Sequence, residues 1–279
     1  MRRISERNIF PSFDLYKEYE KIEELFSLNE SINIPTIRGK QWFSIQFVVS
    51  EYFLAWKLRG TFTSINEMRD ELGINTFSMQ KGRLTEETVL HFLQFAINCV
   101  NRARNIVQEN NHWKFQNGYV DAIVKNINEL ASKLGTDIVF DRDINEYYLQ
   151  YKEDTVAAIA KQNPDISESL YEYLRIDNRS NLKRKREILS TLFRYLESIE
   201  GELKGTEFKT LVSDTKAMMN AARHNENDKT AFAKEFANRN DEEKENWCDK
   251  SYSLFIACMA TLPYIDEKVA IAAIRSSKS

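Results

Sequence analysis

The sequence predicts a mainly α-helical protein: helical bundles with one short β-hairpin near residues 136–151. Three observations carry that expectation. Only eight glycines and four prolines occur in 279 residues, so the turn punctuation of a strand-rich fold is missing. Apolar residues recur at steps of three and four along most of the chain. A single stretch, residues 137–140 and 147–151 around the turn-like Asp141-Arg142-Asp143-Ile144-Asn145, concentrates β-branched and aromatic residues.

In chain order, residues 13–26 are amphipathic, with Leu15, Tyr19, Ile22 and Phe26 on one face, and residues 33–38, with Pro35, read as a connector. Residues 42–58 carry Phe43, Phe47, Tyr52, Phe53, Leu54 and Trp56 around most of a helical circumference, which predicts a central helix. Thr63-Ser64 followed by Glu67 has the form of a capping box for a short helix ending at Gly73. Residues 88–108 form a helix with Val89, Phe92, Phe95, Ala96, Cys99 and Val100 in one stripe and His91 beside it, half-buried. A helix over 118–134 completes an N-terminal helical region, 1–134. The hairpin is the one sheet element expected, and a lone hairpin must lie on helices to be stable.

The hairpin opens a C-terminal region, 135–279, with no linker before it, so the two regions can share one core. Val156, Ile159 and Ala160 mark a short helix ended by Asn163-Pro164, and Leu170, Tyr171 and Leu174 mark the next. Residues 178–181 offer N-cap side chains to a long helix with Ile188, Leu189, Leu192, Phe193, Leu196 and Ile199 inward, which Gly201 and Gly205 are expected to end. Phe208, Leu211, Val212, Thr215, Met218, Met219 and Ala222 line the following helix. Asp241-Glu242-Glu243 puts acids at the positive end of a last long helix striped by Trp247, Ser251, Leu254, Phe255, Cys258, Met259 and Leu262. Four antiparallel helices with short connections suggest a bundle.

Composition narrows function. A net charge of −3 supplies no global basic field for sequence-independent duplex binding. Cys99, Cys248 and Cys258 are odd in number, widely spaced and set in apolar helical patterns, as buried thiols of a reducing compartment are. No pair has metal-ligand spacing and the histidines are three, His91, His112 and His224, so neither a metal site nor a cofactor is expected. The basic residues at the N-terminus are not followed by an apolar run, so no signal peptide is expected. Gln46, Ser50, Glu51 and Lys57 interrupt the most apolar segment, so no membrane span is expected and a cytoplasmic location follows.

Chemistry concentrates in Asn220-Ala221-Ala222-Arg223-His224-Asn225, where an amphipathic helix gives way to Glu226-Asn227-Asp228-Lys229. A permanent cation stands beside a side chain that titrates near neutral pH. Arg223 and His224 are the candidate catalytic pair, and Asn220, Asn225 and Asn227 are candidate substrate-binding groups. At about 100° per residue, Arg223 falls about 80° from the apolar stripe and His224 near the opposite side. The same residues also read as a helix C-terminus capped by a cation and amides. Lys183, Arg184, Lys185 and Arg186 form the densest basic run. They could attract a nucleic-acid backbone or stand as the solvated face of a helix.

With those residues in view, the C-terminal half, about 150–265, resembles bacterial abortive-infection-type proteins with a HEPN-like helical domain. The resemblance rests on Val156–Ala160, Lys183–Leu189, Asn220–Asn225 and Asp241-Glu242-Glu243 followed by Trp247. It implies a phage-defence protein that acts on RNA. Such domains pair an arginine, the polar residue after it and a histidine four to six positions on, at a dimer interface and without metal. Arg223 matches the arginine and His224 the polar residue, whereas Asn227, Asp228 and Lys229 stand where the later histidine is expected. Either His224 moves the proton from its own position, and the resemblance implies a metal-independent endoribonuclease working as a homodimer, or the site binds RNA without cutting it. The alternative expectation is a non-catalytic helical subunit that binds a phage or partner protein.

Overall fold

A computed structural model describes residues 14–204, 206–223 and 230–276 of the chain. Its fold is mainly α-helical, with two small antiparallel sheets among the described residues. The chain forms two compact units, residues 1–149 and 150–279.

In the N-terminal unit, helix α1 (Leu15–Ser27) starts where the Asp14 carboxylate accepts the Lys17 amide, and it buries Tyr19, Ile22 and Phe26. Residues 32–43, the expected connector and helix start, form a hairpin instead, with strand β1 (Ile32–Thr36) paired antiparallel to β2 (Gly39–Phe43). Pro35 is tolerated because it lies next to the turn, and Gly39 takes a φ of 106° that other residues avoid. Apolar content alone did not reveal that Trp42 and Phe43 are strand residues. Helix α2 (Ile45–Glu51) follows, capped by Ser44, and two short 3-10 turns, Phe53–Ala55 and Lys57–Arg59, replace the rest of the expected helix. This segment is not central: Trp42, Phe47 and Leu54 stay exposed. Helix α3 (Ile65–Glu71) has the expected capping box, since Ser64 Oγ accepts the Glu67 amide and the Glu67 carboxylate accepts the Thr63 amide.

The central helix is α4 (Glu86–Glu109). Val89, Phe92, Leu93, Ala96, Cys99, Val100, Ala103 and Ile106 are fully buried along it, and Phe92 meets Tyr19 and Phe26 edge-on at 4.9 and 6.4 Å. Each fully buried large apolar side chain contributes about 1.5–3 kcal/mol. His91 is half-buried beside this stripe. Strand β3 (Lys114–Phe115) joins β1 to give the order β2-β1-β3. Helix α5 (Tyr119–Lys133) packs on α1, where the Tyr119 hydroxyl donates to the Leu25 carbonyl at 2.9 Å.

The expected hairpin is β4 (Thr136–Asp141) and β5 (Glu146–Tyr151). Asp141 Oδ1 accepts the amides of Asp143 and Ile144, and Asn145 turns the chain at a left-handed φ of 59°. The buried amide of Asn98 on α4 accepts the Tyr147 N–H and donates to the Tyr147 carbonyl, both at 2.7 Å, and Gln94 accepts the Leu149 N–H at 2.7 Å. Two amides one helical turn apart thus stand in for a neighbouring strand. They bind the hairpin to the N-terminal unit, and the two compact units divide at Leu149/Gln150.

In the C-terminal unit, α6 (Asp154–Gln162) ends before Pro164, which opens α7 (Pro164–Tyr173) from its first position. Asn181 accepts the Arg184 amide at the start of α8 (Leu182–Lys204). Gly201 lies inside α8 and does not end it; Gly205 is outside the described residues. Helix α9 (Lys209–Arg223) packs on α8, and α10 (Ala231–Ala237) leads to α11 (Asp241–Ser276). Asn240 and Glu243 exchange side-chain and backbone hydrogen bonds at the start of α11. The core between α8, α9 and α11 contains Leu189, Leu192, Leu196, Val212, Met219, Phe255 and Cys258.

Replacing Asn98 by Ala leaves part-buried backbone groups of β5 unpaired and is expected to cost about 2 kcal/mol in urea unfolding. Asn101→Ala, which removes a bond to the exposed Asn145 carbonyl, is expected to cost under about 1 kcal/mol. A second expectation concerns Glu146, whose carboxyl is 9% exposed and held above the usual carboxylate range, chiefly by burial. A raised folded-state value means that the folded chain binds more protons than the unfolded one, so this group costs stability as pH rises through the carboxylate range. Glu146→Gln should therefore raise Tm at neutral pH, and the gain should vanish in acid below the ordinary carboxylate value.

Candidate functional site

The C-terminal end of α9 gathers part of the predicted site. Arg223, the last residue of α9, is half-buried, and its guanidinium lies 4.4 Å over the ring of Phe193 on α8. From the first turn of α8, Arg186 donates through Nε to the Ala222 carbonyl at 2.6 Å and passes 5.8 Å from the Phe236 ring. Ala222 is among the last residues of α9, whose carbonyls have no helical partner, so Arg186 supplies a cap. Phe193 follows Arg186 by seven positions, two turns along one face of α8. That spacing places one arginine and the other arginine's stacking platform against the same stretch of α9. Asn220 is half-buried one turn before Arg223, on the same side of the helix. His224, Asn225 and Asn227 lie outside the described residues.

Aromatic rings enclose this helix end. Trp247 of α11 donates its indole N–H to the Met218 carbonyl at 3.0 Å, Phe236 meets the Trp247 ring edge-on at 5.9 Å, and Arg239 covers Trp247 at 5.1 Å. Phe193, Phe236 and Arg239 are parts of the arrangement that sequence reasoning missed. Phe193 was legible as core, but nothing in its spacing marked it as the platform for a guanidinium contributed by another helix. A helix C-terminus carries the equivalent of about half a negative charge. A guanidinium that stacks by its face donates along its edge, in the geometry that suits a phosphate. Lys216, two turns before Arg223 on α9, is instead engaged by Glu200 at 3.0 Å and Glu197 at 3.8 Å.

The basic run of α8 is not gathered into one face. Lys183 is exposed. Arg184 is held by Glu172 at 2.6 Å and Glu187 at 2.7 Å, in an open cleft of about 420 Å³ between α7 and α8. Its carboxylate partners raise its proton affinity further. Lys185 is 3% exposed, and its Nζ donates to Asp249 Oδ1 at 2.8 Å. The same oxygen accepts the Tyr173 hydroxyl at 2.8 Å, and the Tyr173 ring stacks on Tyr252 at 4.0 Å. Burial first, then Asp249, pushes the Tyr173 phenol well above its usual range. Of the four residues, Arg186 alone reaches the end of α9.

The three cysteines are free and buried, and burial raises all three thiols, that of Cys248 to about 12. They are poor nucleophiles and poor metal ligands as folded. Among the described residues no group of His, Cys, Asp or Glu is placed to hold a metal ion, and no helix is long and apolar enough to cross a membrane. No family model, curated protein or solved structure matches the chain.

The ties of Lys185 should be asymmetric under mutation. Asp249→Ala strands a buried ammonium and is expected to cost about 3 kcal/mol. Lys185→Met leaves an Asp249 side chain that is 52% exposed and can return to water, so it should cost under about 1 kcal/mol. Urea unfolding of both variants and of the double variant measures the difference.

Proposed function

We propose that this chain is a HEPN-like helical protein of phage defence, of the abortive-infection kind, which acts on RNA as a homodimer through paired Arg223–His224 sites. The observation that carries the reading is the convergence of Arg223 and Arg186 on the end of α9, with Arg223 backed by the Phe193 ring. An arginine stiffened by stacking presents its edge to a phosphate with less loss of side-chain freedom than a solvated one. Its chain neighbour, His224, is of the residue type that suits proton transfer. In the proposed reaction His224 takes the proton of a ribose 2′-hydroxyl, whose oxygen attacks the adjacent phosphorus. Arg223 offsets the added charge. The bond to the 5′-oxygen breaks, that oxygen receives the proton, and the products are a 2′,3′-cyclic phosphate and a 5′-hydroxyl.

A second reading, a non-catalytic subunit that binds a phage or partner protein, is favoured by one observation in the N-terminal unit. Ile37, Trp42, Phe47 and Leu54 are exposed there, and β2 is an edge strand among the described residues.

The purified chain should cleave RNA in the presence of EDTA, and His224→Ala and Arg223→Ala should each slow cleavage by about 100-fold or more. Equal cleavage by the variants, or none by any of the proteins, overturns the catalytic reading. A stoichiometric protein partner recovered from infected cells, kept by Arg223→Ala and lost by Trp42→Asp, establishes the second.

A further inference from the structure

The N-terminal unit contains a pocket of about 530 Å³ that is unrelated to the α9 site. Trp56 and Lys57 come from the 3-10 turns, Arg102 and Asn105 from α4, and Ile144 and Glu146 from the turn and start of β5. Two of these side chains are held in costly states. Glu146 is more than nine-tenths buried; its Oε1 accepts the Trp56 indole N–H at 2.9 Å, while its Oε2 is buried without a hydrogen-bond partner. The Nε of Arg102 is likewise buried and unpartnered. An unsatisfied buried polar atom costs about 1–3 kcal/mol, more when charged. An acid and a base sharing one cleft would ordinarily close on each other, yet Glu146 and Arg102 form no ion pair within 4.0 Å while still feeling each other's charge. The turn beside them is held by a hydrogen bond from Asn101 to the Asn145 carbonyl.

We propose that this pocket binds a small zwitterion of the α-amino-acid type, with its ammonium held by Glu146 and its carboxylate by Arg102. The guanidinium fork matches a carboxylate in two parallel bonds, and the unpartnered oxygen of Glu146 can accept from an ammonium. Charge decides against a polyanion such as a nucleotide. Lys57 and Arg102 are opposed by Glu109, Asp143 and Glu146, so the lining has no cationic excess, whereas a ligand of zero net charge with separated poles fits both ends. Trp56 holds the other oxygen of the carboxyl. Both unpartnered atoms are closed off from solvent, so the ligand engages them by displacing the side chains that cover them. The stability that Glu146 costs the fold is the kind of cost that binding sites carry.

The test is calorimetric titration and thermal shift of the full chain with each of the proteinogenic L-amino acids, up to about 10 mM, where mass action makes even weak binding visible. At least one should bind and raise Tm. Its decarboxylated amine and its N-acetyl derivative should not. Glu146→Gln and Arg102→Met should each weaken binding about tenfold or more with the far-UV circular dichroism unchanged. Glu146→Gln is isosteric and is expected to fold at least as well as the parent. Absence of binding by every amino acid, binding indifferent to both substitutions, or GMP or AMP binding that depends on both residues while amino acids fail, overturns the assignment.

Discussion

In the C-terminal bundle one carboxylate oxygen sets the arrangement of three helices. Asp249 Oδ1 on α11 accepts from Lys185 Nζ on α8 and from the Tyr173 hydroxyl on α7, at 2.8 Å each. Lysine is almost never fully buried unless paired, and Lys185 is buried inside a run of four basic residues that would otherwise be a solvated face. Its burial fixes the rotation of α8. With Lys185 inward, Ile188, Leu189 and Leu192 enter the core, Arg184 turns to Glu172 of α7 and Glu187 of its own helix, and Arg186 turns toward α9. One charge pair thus distributes four cations to four different surroundings.

That rotation is also what furnishes the end of α9. Arg186 reaches the Ala222 carbonyl and Phe193, two turns later on the same face, lies beneath Arg223. The capping and phosphate-handling readings of Arg223 are therefore compatible. Stacking and capping hold the guanidiniums in place, and immobile cations are what a reaction that builds charge on phosphate needs. The rings of Phe236 and Trp247 close the surroundings and add cation–π contacts worth about 0.5–2 kcal/mol each.

The N-terminal unit solves a different problem by similar means. A two-stranded hairpin is marginal alone, and the apolar stripe of α4 offers it no backbone partner. Asn98 and Gln94 supply one, with amide groups spaced by a helical turn against alternate residues of β5. The hairpin they fix brings Glu146 under Trp56. A structural hydrogen-bonding device therefore ends in a buried, half-satisfied carboxyl.

Periodicity and capping residues by themselves determined the helical class, the existence of α1, α3 through α9 and α11 to within a few residues at most ends, the β4–β5 hairpin and the buried state of the cysteines, because these depend on local steps of 3.6 or 2 and on neighbouring cap residues; the short α10 was not legible. The β1–β2 hairpin was not legible. Pro35 and the aromatic run from Trp42 fit a connector and a helix as well as two strands, and only the pairing of Ile32 with Phe43 decides between them. Arg223 was legible as a candidate from composition alone, but its ring partner, the cap from Arg186 and the removal of Lys185 from the basic face were not. Each depends on which way one helix is turned against another, a choice made by packing and by a single buried charge, and no spacing within one helix encodes it.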